Sequence, residues 1–326
     1  MPRLERLFQP TSIAGVPLRN RLVMPPMVTN YATEKGEVTQ RLIDYLVTRA
    51  RGGVGLIIVE ASYVRPDGRG FVNQLGIHAD DLIPGLAELV QAVHAAGARV
   101  AIQLFHAGRQ TTSRITGGRP VAPSPLPDPT IKEVPIELSE AEIGQIQQDF
   151  AAAAGRAAKA GFDAVEIHGA HGYLIAQFLS PFSNRRLDGY GGGIRGRSRF
   201  ALEVVDRVRR VVGRDCPVLF RLSGEEQVEG GLTVDQTRII ASLLEAAGID
   251  ALHVSVGNYA TLGGLITAPM DVDRGLLAPL AAEMKRVVSI PVIAVDRLHD
   301  PLLAEQVLAM GEADLVAIGR GLLTDP

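Results

Sequence analysis

Cysteine is nearly absent: Cys216 is the one thiol in 326 residues. That excludes a disulfide framework and any cysteine-ligated zinc or iron–sulfur site within this chain, and it suits a reducing, cytoplasmic compartment. Lysine is scarce too, with only Lys35, Lys132, Lys159 and Lys285. Positive charge does not dominate. The net charge is −3 and the pI about 6.2, so no nucleic-acid or anionic-membrane partner is expected. No uninterrupted apolar run is long enough to cross a bilayer, and the opening MPRLERLFQP has no apolar core of a secretion signal. Low-complexity tracts are missing. What is there is a chain 46% hydrophobic, ample for a large core.

Short β-like runs alternate with longer helical ones. The pattern predicts eight strands, at 22–25, 55–61, 100–105, 164–168, 218–222, 251–256, 291–295 and 315–318. Helical periodicity lies between them at about 39–51, 81–96, 139–160, 197–212, 234–247, 277–288 and 301–310. Ser139 with Glu142 makes a capping box, Thr233 precedes a helical run, and Gly97, Gly161, Gly213, Gly248 and Gly311 stand at helix ends. This alternation predicts a parallel (β/α)8 TIM barrel in one domain, 1–326, with 1–20 as an N-terminal cap. An open doubly wound sheet is the runner-up, but it usually needs fewer strands and a switch point. The sequence stops at GLLTDP, where the eighth helix should begin, so most of that helix is missing. A long loop, 107–138, follows the third strand, with a proline-rich stretch at 117–135 that suits a lid or active-site wall.

On a barrel, chemistry belongs at the C-terminal ends of the strands. Read in order, those ends offer Pro26, Met27, Val28 and Thr29; Glu60 and Ala61; Gln103 and His106; His168, His171 and Tyr173; Arg221; Ser255 to Asn258; Asp296 and Arg297; Gly319 and Arg320. No lysine is among them, which argues against a Schiff-base aldolase. No carboxylate pair stands out, which weakens a glycosidase reading. The most informative stretch is 162–193, FDAVEIHGAHGYLIAQFLSPFSNRRLDGYGGG. An apolar run ends there in two histidines three apart, a tyrosine and a polar, glycine-rich loop.

Together, NRLVMPPM (20–27), GLIIVEA (55–61), IQLFHAGRQ (102–110), the 168–192 block and ADLVAIGRGLLTDP (313–326) resemble the old yellow enzyme family of NADH:flavin oxidoreductases, in order and over nearly the whole chain. The likeness is strongest to the 2,4-dienoyl-CoA reductase and enoate reductase branch, whose members carry an iron–sulfur segment and an FAD/NAD-binding domain after the barrel. The resemblance implies a single FMN-binding domain, with NADH or NADPH as electron donor. An iron–sulfur cluster and FAD would belong only to a longer parent protein. The implied reaction is hydride transfer from reduced FMN to the C=C bond of an α,β-unsaturated carbonyl, enoate or enoyl-CoA. A small unsaturated molecule is thus the expected partner, and the reading leaves room for a homo-oligomer. The alternatives are an FMN-dependent dehydrogenase, desaturase or amine dehydrogenase of the same family, or a non-catalytic flavin-binding barrel fragment.

Under that resemblance the cofactor-binding positions are Pro26, Met27, Val28, Ala61, Gln103, His168, Arg221, Arg297, Gly319 and Arg320. Gln103 and Arg221 can serve the pyrimidine ring, and positive charge beside N1 stabilises reduced flavin. Arg297, Gly319 and Arg320 suit the 5′-phosphate, because the last two loops of barrels commonly hold phosphate. His168 and His171 can donate to a substrate carbonyl oxygen as negative charge grows there, and Tyr173 can protonate carbon. The sequence departs from the family pattern at Val28, where Thr or Cys is common, so that contact is missing or made by Thr29. It departs again at Asp296, which is expected to point away from a phosphate.

Plainer readings exist for several of these residues. His168 and His171 lack the HExxH spacing and an obvious third ligand, so no metal is expected. Tyr173 could be a packing aromatic, and Arg221 and Arg320 rim salt-bridge residues. Gly191, Gly193 and Gly196 spell G-x-G-x-x-G but follow a loop, not a strand, so they read as turn glycines. Asp188 and Tyr190 read as loop-ordering residues. His253 reads as a core or network histidine, His78, His94 and His299 as surface or rim residues, and Cys216 as inert packing.

Overall fold

The structure is a computed structural model, and it describes residues 4–261, 266–269 and 271–326. Residues 1–3 of the expected N-terminal cap lie outside the described residues. Eight parallel strands close into a barrel. They are β1 (Leu22–Met24), β2 (Leu56–Tyr63), β3 (Arg99–Phe105), β4 (Ala164–Gly169), β5 (Val218–Ser223), β6 (Ala251–Ser255), β7 (Val292–Val295) and β8 (Leu315–Ala317). Each pairs with its sequence neighbours. β8 returns to β1 through Val316↔Leu22 and Ala317↔Val23. All eight expected strands are thus present, and the fold is the TIM barrel rather than an open sheet.

The strands persist because both faces are buried. Every residue of β2, β4, β5 and β6 is buried, as expected of parallel strands covered on both sides. Side chains alternate across a strand. One set, including Val100, Ile102, Val165, Ile167, Val218 and Phe220, joins the helices in the outer core. The other set points into the barrel. Its lower part is a dry plug of Val23, Leu56, Ile58, Ala101, Ala164, Leu219, Ala251, Ile293 and Leu315. Ile13 and Leu18 pack onto that plug from a short antiparallel hairpin, Thr11–Ile13 with Val16–Leu18.

The helices follow the expected periodicity: α1 (Gln40–Gly52), α2 (Ile83–Ala95), α3 (Glu140–Ala160), α4 (Ile194–Val212), α5 (Val234–Ala247), α6 (Ala278–Lys285) and α7 (Pro301–Ala309). The Ser139 capping box forms in full, which satisfies two otherwise orphaned N–H groups. Thr233 stands at the start of α5 without a side-chain cap bond. All five helix-end glycines have positive φ, the left-handed geometry that closes a helix at little cost for glycine. After β8 only Gly321–Thr324 is helical. The 107–138 loop has more structure than its composition suggests: a helical turn at Ser113–Thr116, and Val121–Ala122 paired with Ile136–Glu137. Among the described residues no helix is long and apolar enough to cross a membrane.

Candidate active site

The inward-facing positions change character within one step along four strands. Two residues above Ala101, Ala164, Leu219 and Ala251 of the apolar plug stand Gln103, Glu166, Arg221 and His253. Register places Gln103 beside Glu166 and Arg221 between His168 and His253. Above this polar floor, at the C-terminal ends of the strands, opens a cavity of about 900 Å³. The twelve residues to which the resemblance gives a cofactor or catalytic role line it, namely Pro26, Met27, Val28, Ala61, Gln103, His168, His171, Tyr173, Arg221, Arg297, Gly319 and Arg320, whereas Thr29, Glu60, His106 and Ser255 to Asn258 do not. Their convergence from strands far apart in sequence is the main result of the fold.

The β4 end holds the histidines and the tyrosine. Ala170 N–H donates to His168 Nδ1 at 3.3 Å, and His168 Nε2 lies 3.3 Å from His171 Nδ1. Burial, with the Arg221 charge second, holds both imidazoles well below the ordinary value of 6.5. Both are therefore neutral near pH 7, with one N–H each. Since His168 Nδ1 accepts, its proton sits on Nε2 and points at His171, and His171 keeps an Nε2–H uncommitted. Both rings can donate to a ligand oxygen only if the long His168–His171 contact opens.

The chain reaches Tyr173 through two left-handed residues, His171 (φ 60) and Gly172 (φ 76). A Cβ on Gly172 would meet Gln110 Oε1 at 2.5 Å and Asn258 Cβ at 2.7 Å, so only glycine fits. Positive φ is uncommon for a residue such as histidine. Here His171 N–H donates to Ser223 Oγ at 3.0 Å and its carbonyl accepts from Gln110 Nε2 at 2.9 Å. Tyr173 is 8% exposed and packs edge-on against Phe105 at 4.5 Å. Its hydroxyl lies 2.9 Å from that of Tyr259. Burial, and then Tyr259, push the Tyr173 phenol well above its ordinary value of 10.0. The group keeps its proton until something basic takes it.

The floor is a buried polar chain. Gln103 Nε2 donates to Glu166 Oε1 at 2.7 Å, and Glu166 Oε2 lies 2.8 Å from His253 Nδ1. All three side chains are fully buried. Gln103 Oε1, Arg221 Nε and His253 Nε2 have no partner among the described residues. Burial lowers the Arg221 guanidinium, with Glu166 opposing.

The β7–β8 end is built differently. Asp296 (φ 100) and Arg297 (φ 49) form a left-handed turn directly after β7. Arg297 Nη1 donates to Pro269 O, and Arg320 Nη2 donates to Ala268 O at 2.6 Å. Gly319 lets the backbone approach Met27, whose Sδ would lie 3.0 Å from a Cβ there. Asp296 lines the cavity, and its Oδ2 is buried without a partner among the described residues. Burial raises its carboxyl, with Arg320 and Arg297 pulling the other way. Thr29 N–H and Oγ both donate to Glu60 Oε2, so that hydroxyl is spent, and Val28 is the residue in the wall.

Three features escaped the sequence reading. Tyr259 lies in the loop after β6 with no periodic signal to mark it. Arg274 and His299 line the cavity from two further loops. Glu166 had a readable signal: a carboxylate within an apolar strand, two residues before His168 and so on the same face. Arg186–Asp188 and Asn184–Tyr190 contacts order the loop. A Cβ on Gly191 would strike Arg186 O at 2.0 Å and one on Gly196 would strike Gly191 O at 2.1 Å, a close-packed turn. Burial raises the Cys216 thiol to about 11, which makes it a weak nucleophile.

Comparison with known proteins agrees with this geometry. Residues 6–326 match the family model described as NADH:flavin oxidoreductase / NADH oxidase. An NADH oxidase from Thermoanaerobacter brockii is 50% identical over 328 residues, covering 100% of this chain and 50% of the relative. An NADPH dehydrogenase from Clostridium acetobutylicum is 41% identical over 322 residues, covering 98% of this chain and 92% of the relative. The solved complex of a 2-naphthoyl-CoA reductase with 2-naphthoyl-CoA superposes with a TM-score of 0.94 at 31% identity, over 98% of this chain and 50% of that one. The chain spans about half the length of the first curated relatives it matches.

Proposed function

The chain belongs to the NADH:flavin oxidoreductase / NADH oxidase family, and from that premise we propose that it reduces a C=C bond conjugated to a carbonyl, acid or CoA thioester, with Tyr173 as proton donor. FMN fits the donor set of the cavity. An oxidised isoalloxazine offers one N–H and several acceptor atoms, and the floor presents Gln103 Oε1 as an acceptor and Arg221 as a donor, with Oε1 and Arg221 Nε lacking partners among the described residues. A phosphate needs cationic donors, and Arg297 and Arg320 supply them at the other end. In this reading residues 1–326 act as one FMN-binding domain that takes electrons from NADH or NADPH. Bound FMN supplies the hydride chemistry.

The rest is the work of side chains. The free N–H of His171, joined by that of His168 when their contact opens, holds the substrate carbonyl oxygen. Negative charge grows on that oxygen as the β-carbon accepts hydride, so donors placed there lower the barrier. Neutral imidazoles suit this role, because they stabilise the charge without giving up a proton. Tyr173 then delivers a proton to the α-carbon. The observation that carries the reading is this juxtaposition: the Tyr173 phenol, kept protonated by burial and hydrogen-bonded to that of Tyr259, in the same cavity wall as two neutral imidazoles. A flavin-storage barrel has no use for a buried proton donor there.

A CoA thioester is favoured among the substrates by one comparison only, the complex of 2-naphthoyl-CoA reductase with 2-naphthoyl-CoA. The deciding experiment reduces the yellow protein anaerobically with NADH or NADPH and mixes it with enones, enoates and enoyl-CoAs. Return of the oxidised-flavin absorbance with at least one of them supports the reading. No re-oxidation by any of them, with re-oxidation by oxygen intact, would overturn it.

A further inference from the structure

We infer that Glu166 and His253 are positioning residues that fix the Gln103 amide with its carbonyl oxygen toward the cavity, so that the site selects the single N–H of an oxidised isoalloxazine. The inference rests on the FMN reading above and concerns residues outside the cavity wall: neither Glu166 nor His253 lines it.

The argument begins with what each group can do. A carboxylate only accepts hydrogen bonds. Glu166 has one oxygen facing Gln103 Nε2 at 2.7 Å and the other facing His253 Nδ1 at 2.8 Å. Both neighbours must therefore donate. For Gln103, a residue of the cavity lining, this settles the orientation of an amide that could otherwise turn by half a rotation: its NH2 faces Glu166 and its Oε1 the opposite way. That oxygen is the buried atom without a partner. For His253 it settles the tautomer, with the proton on Nδ1. His253 in turn occupies the second oxygen, so Glu166 does not rotate away.

Stability alone does not explain this chain of contacts. The layer directly below is Ala101, Ala164, Leu219 and Ala251, small and dry. Continuing such a layer upward would avoid the cost of burying a carboxylate, and apolar replacement of buried polar groups is often neutral or stabilising. The polar layer starts where the cavity starts, and it ends in Gln103, which lines that cavity and whose Oε1 is buried with no partner among the described residues.

The test strips the protein of flavin and titrates it, by flavin fluorescence, with FMN and with 3-deaza-FMN, in which C–H replaces the ring N–H at nearly the same size. The parent should bind FMN tighter by about tenfold or more, since the analogue leaves a buried acceptor unpaired. In Glu166→Gln the new amide can donate as well as accept, so Gln103 is free to turn. In Glu166→Met the Gln103 NH2 loses its partner and turns toward the cavity. Both variants should bind FMN more weakly and lose most of the preference; Glu166→Met, which leaves the buried donors of Gln103 and His253 unpaired, should also melt lower, so the near-isosteric Glu166→Gln is the variant that separates orientation from stability. A purely structural role would move the melting temperature and leave the preference intact. The inference falls if the parent binds both flavins equally, or if either folded variant keeps the parental preference. A parent that binds no flavin at all would remove the FMN reading itself and this inference with it.

Discussion

The two ends of the cavity are built by opposite means. At the β3–β5 end, Gln103, His168 and Arg221 stand on strands, locked by register and surrounded by buried partners. At the β7–β8 end, Arg297 and Arg320 stand on turns, and they hold carbonyls of the 268–269 segment rather than one another. Strand-borne groups are positioned to within a narrow range, as orienting a reacting atom demands. Turn-borne arginines on long stems suit a phosphate, which accepts donors from many directions. Under the reading proposed above, the contrast is a division of labour: the first end orients the flavin ring and the substrate, and the second holds the phosphate.

The largest expected break is at Tyr173. Tyr173→Phe keeps the ring packed on Phe105 and removes only the acid. FMN binding and reduction by dithionite should be unchanged, while re-oxidation by an enone slows by about 10²–10⁴-fold. Quinone reduction, which protonates no carbon, should be nearly spared. Parental enone rates in this variant, read by stopped-flow absorbance, would take the proton donor away from Tyr173.

Next in size is Arg320→Ala at the opposite end. Removing a charge-assisted phosphate contact should weaken FMN retention by about 1.5–3 kcal/mol. With the flavin resupplied in excess, enone re-oxidation should return to near the parental rate. If it stays slow at saturating FMN, the two ends are not separable and the division fails.

Tyr259→Phe is a smaller probe. It removes the hydroxyl 2.9 Å from that of Tyr173. One neutral hydrogen bond is worth about 1 kcal/mol, so enone re-oxidation should change by a factor of roughly 3–10, and FMN affinity not at all. A loss as large as that of Tyr173→Phe would make Tyr259 the donor.

The smallest effect is an absence. The folded-state values of His168 and His171 are depressed below 6.5, so both remain neutral as pH falls through that value. Their ring resonances should show no midpoint near 6.5, and re-oxidation should show no break there. For stability the sign follows from linkage. The unfolded chain binds these protons near 6.5 and the fold does not, so these histidines cost stability progressively below that pH. Glu60, Glu226 and Asp296, raised by burial, act in the opposite sense, so the check is per-histidine NMR rather than melting temperature. A midpoint at 6.5 for either ring would show it to be hydrated rather than buried.

The barrel was legible because β-like runs such as 55–61 and 100–105 alternate regularly with capped helical segments. The Thr11–Leu18 hairpin was not, since two three-residue strands carry too little pattern. The Leu174–Leu179 helix was hidden because its wholly buried residues show no amphipathic period. The histidines, Tyr173 and the arginines could be read from their place at strand ends. Asp296 could not, because its burial near Arg297 and Arg320 is set by the left-handed turn after β7, which leaves no periodic signal in the sequence. Tyr259 depends on a loop path that only tertiary packing defines.

The closing seam has a consequence in time rather than in space. β1 receives its second neighbour only from β8, and Glu305 accepts the N–H groups of Glu5, Arg6 and Leu7. During synthesis the first strand must therefore wait, one edge unpaired, until Leu315–Ala317 has left the ribosome. Contacts this distant in sequence slow folding, and exposed strand edges invite pairing with other chains. β1 is only three residues long, Leu22–Met24, so the edge kept waiting offers little for a stranger to pair with.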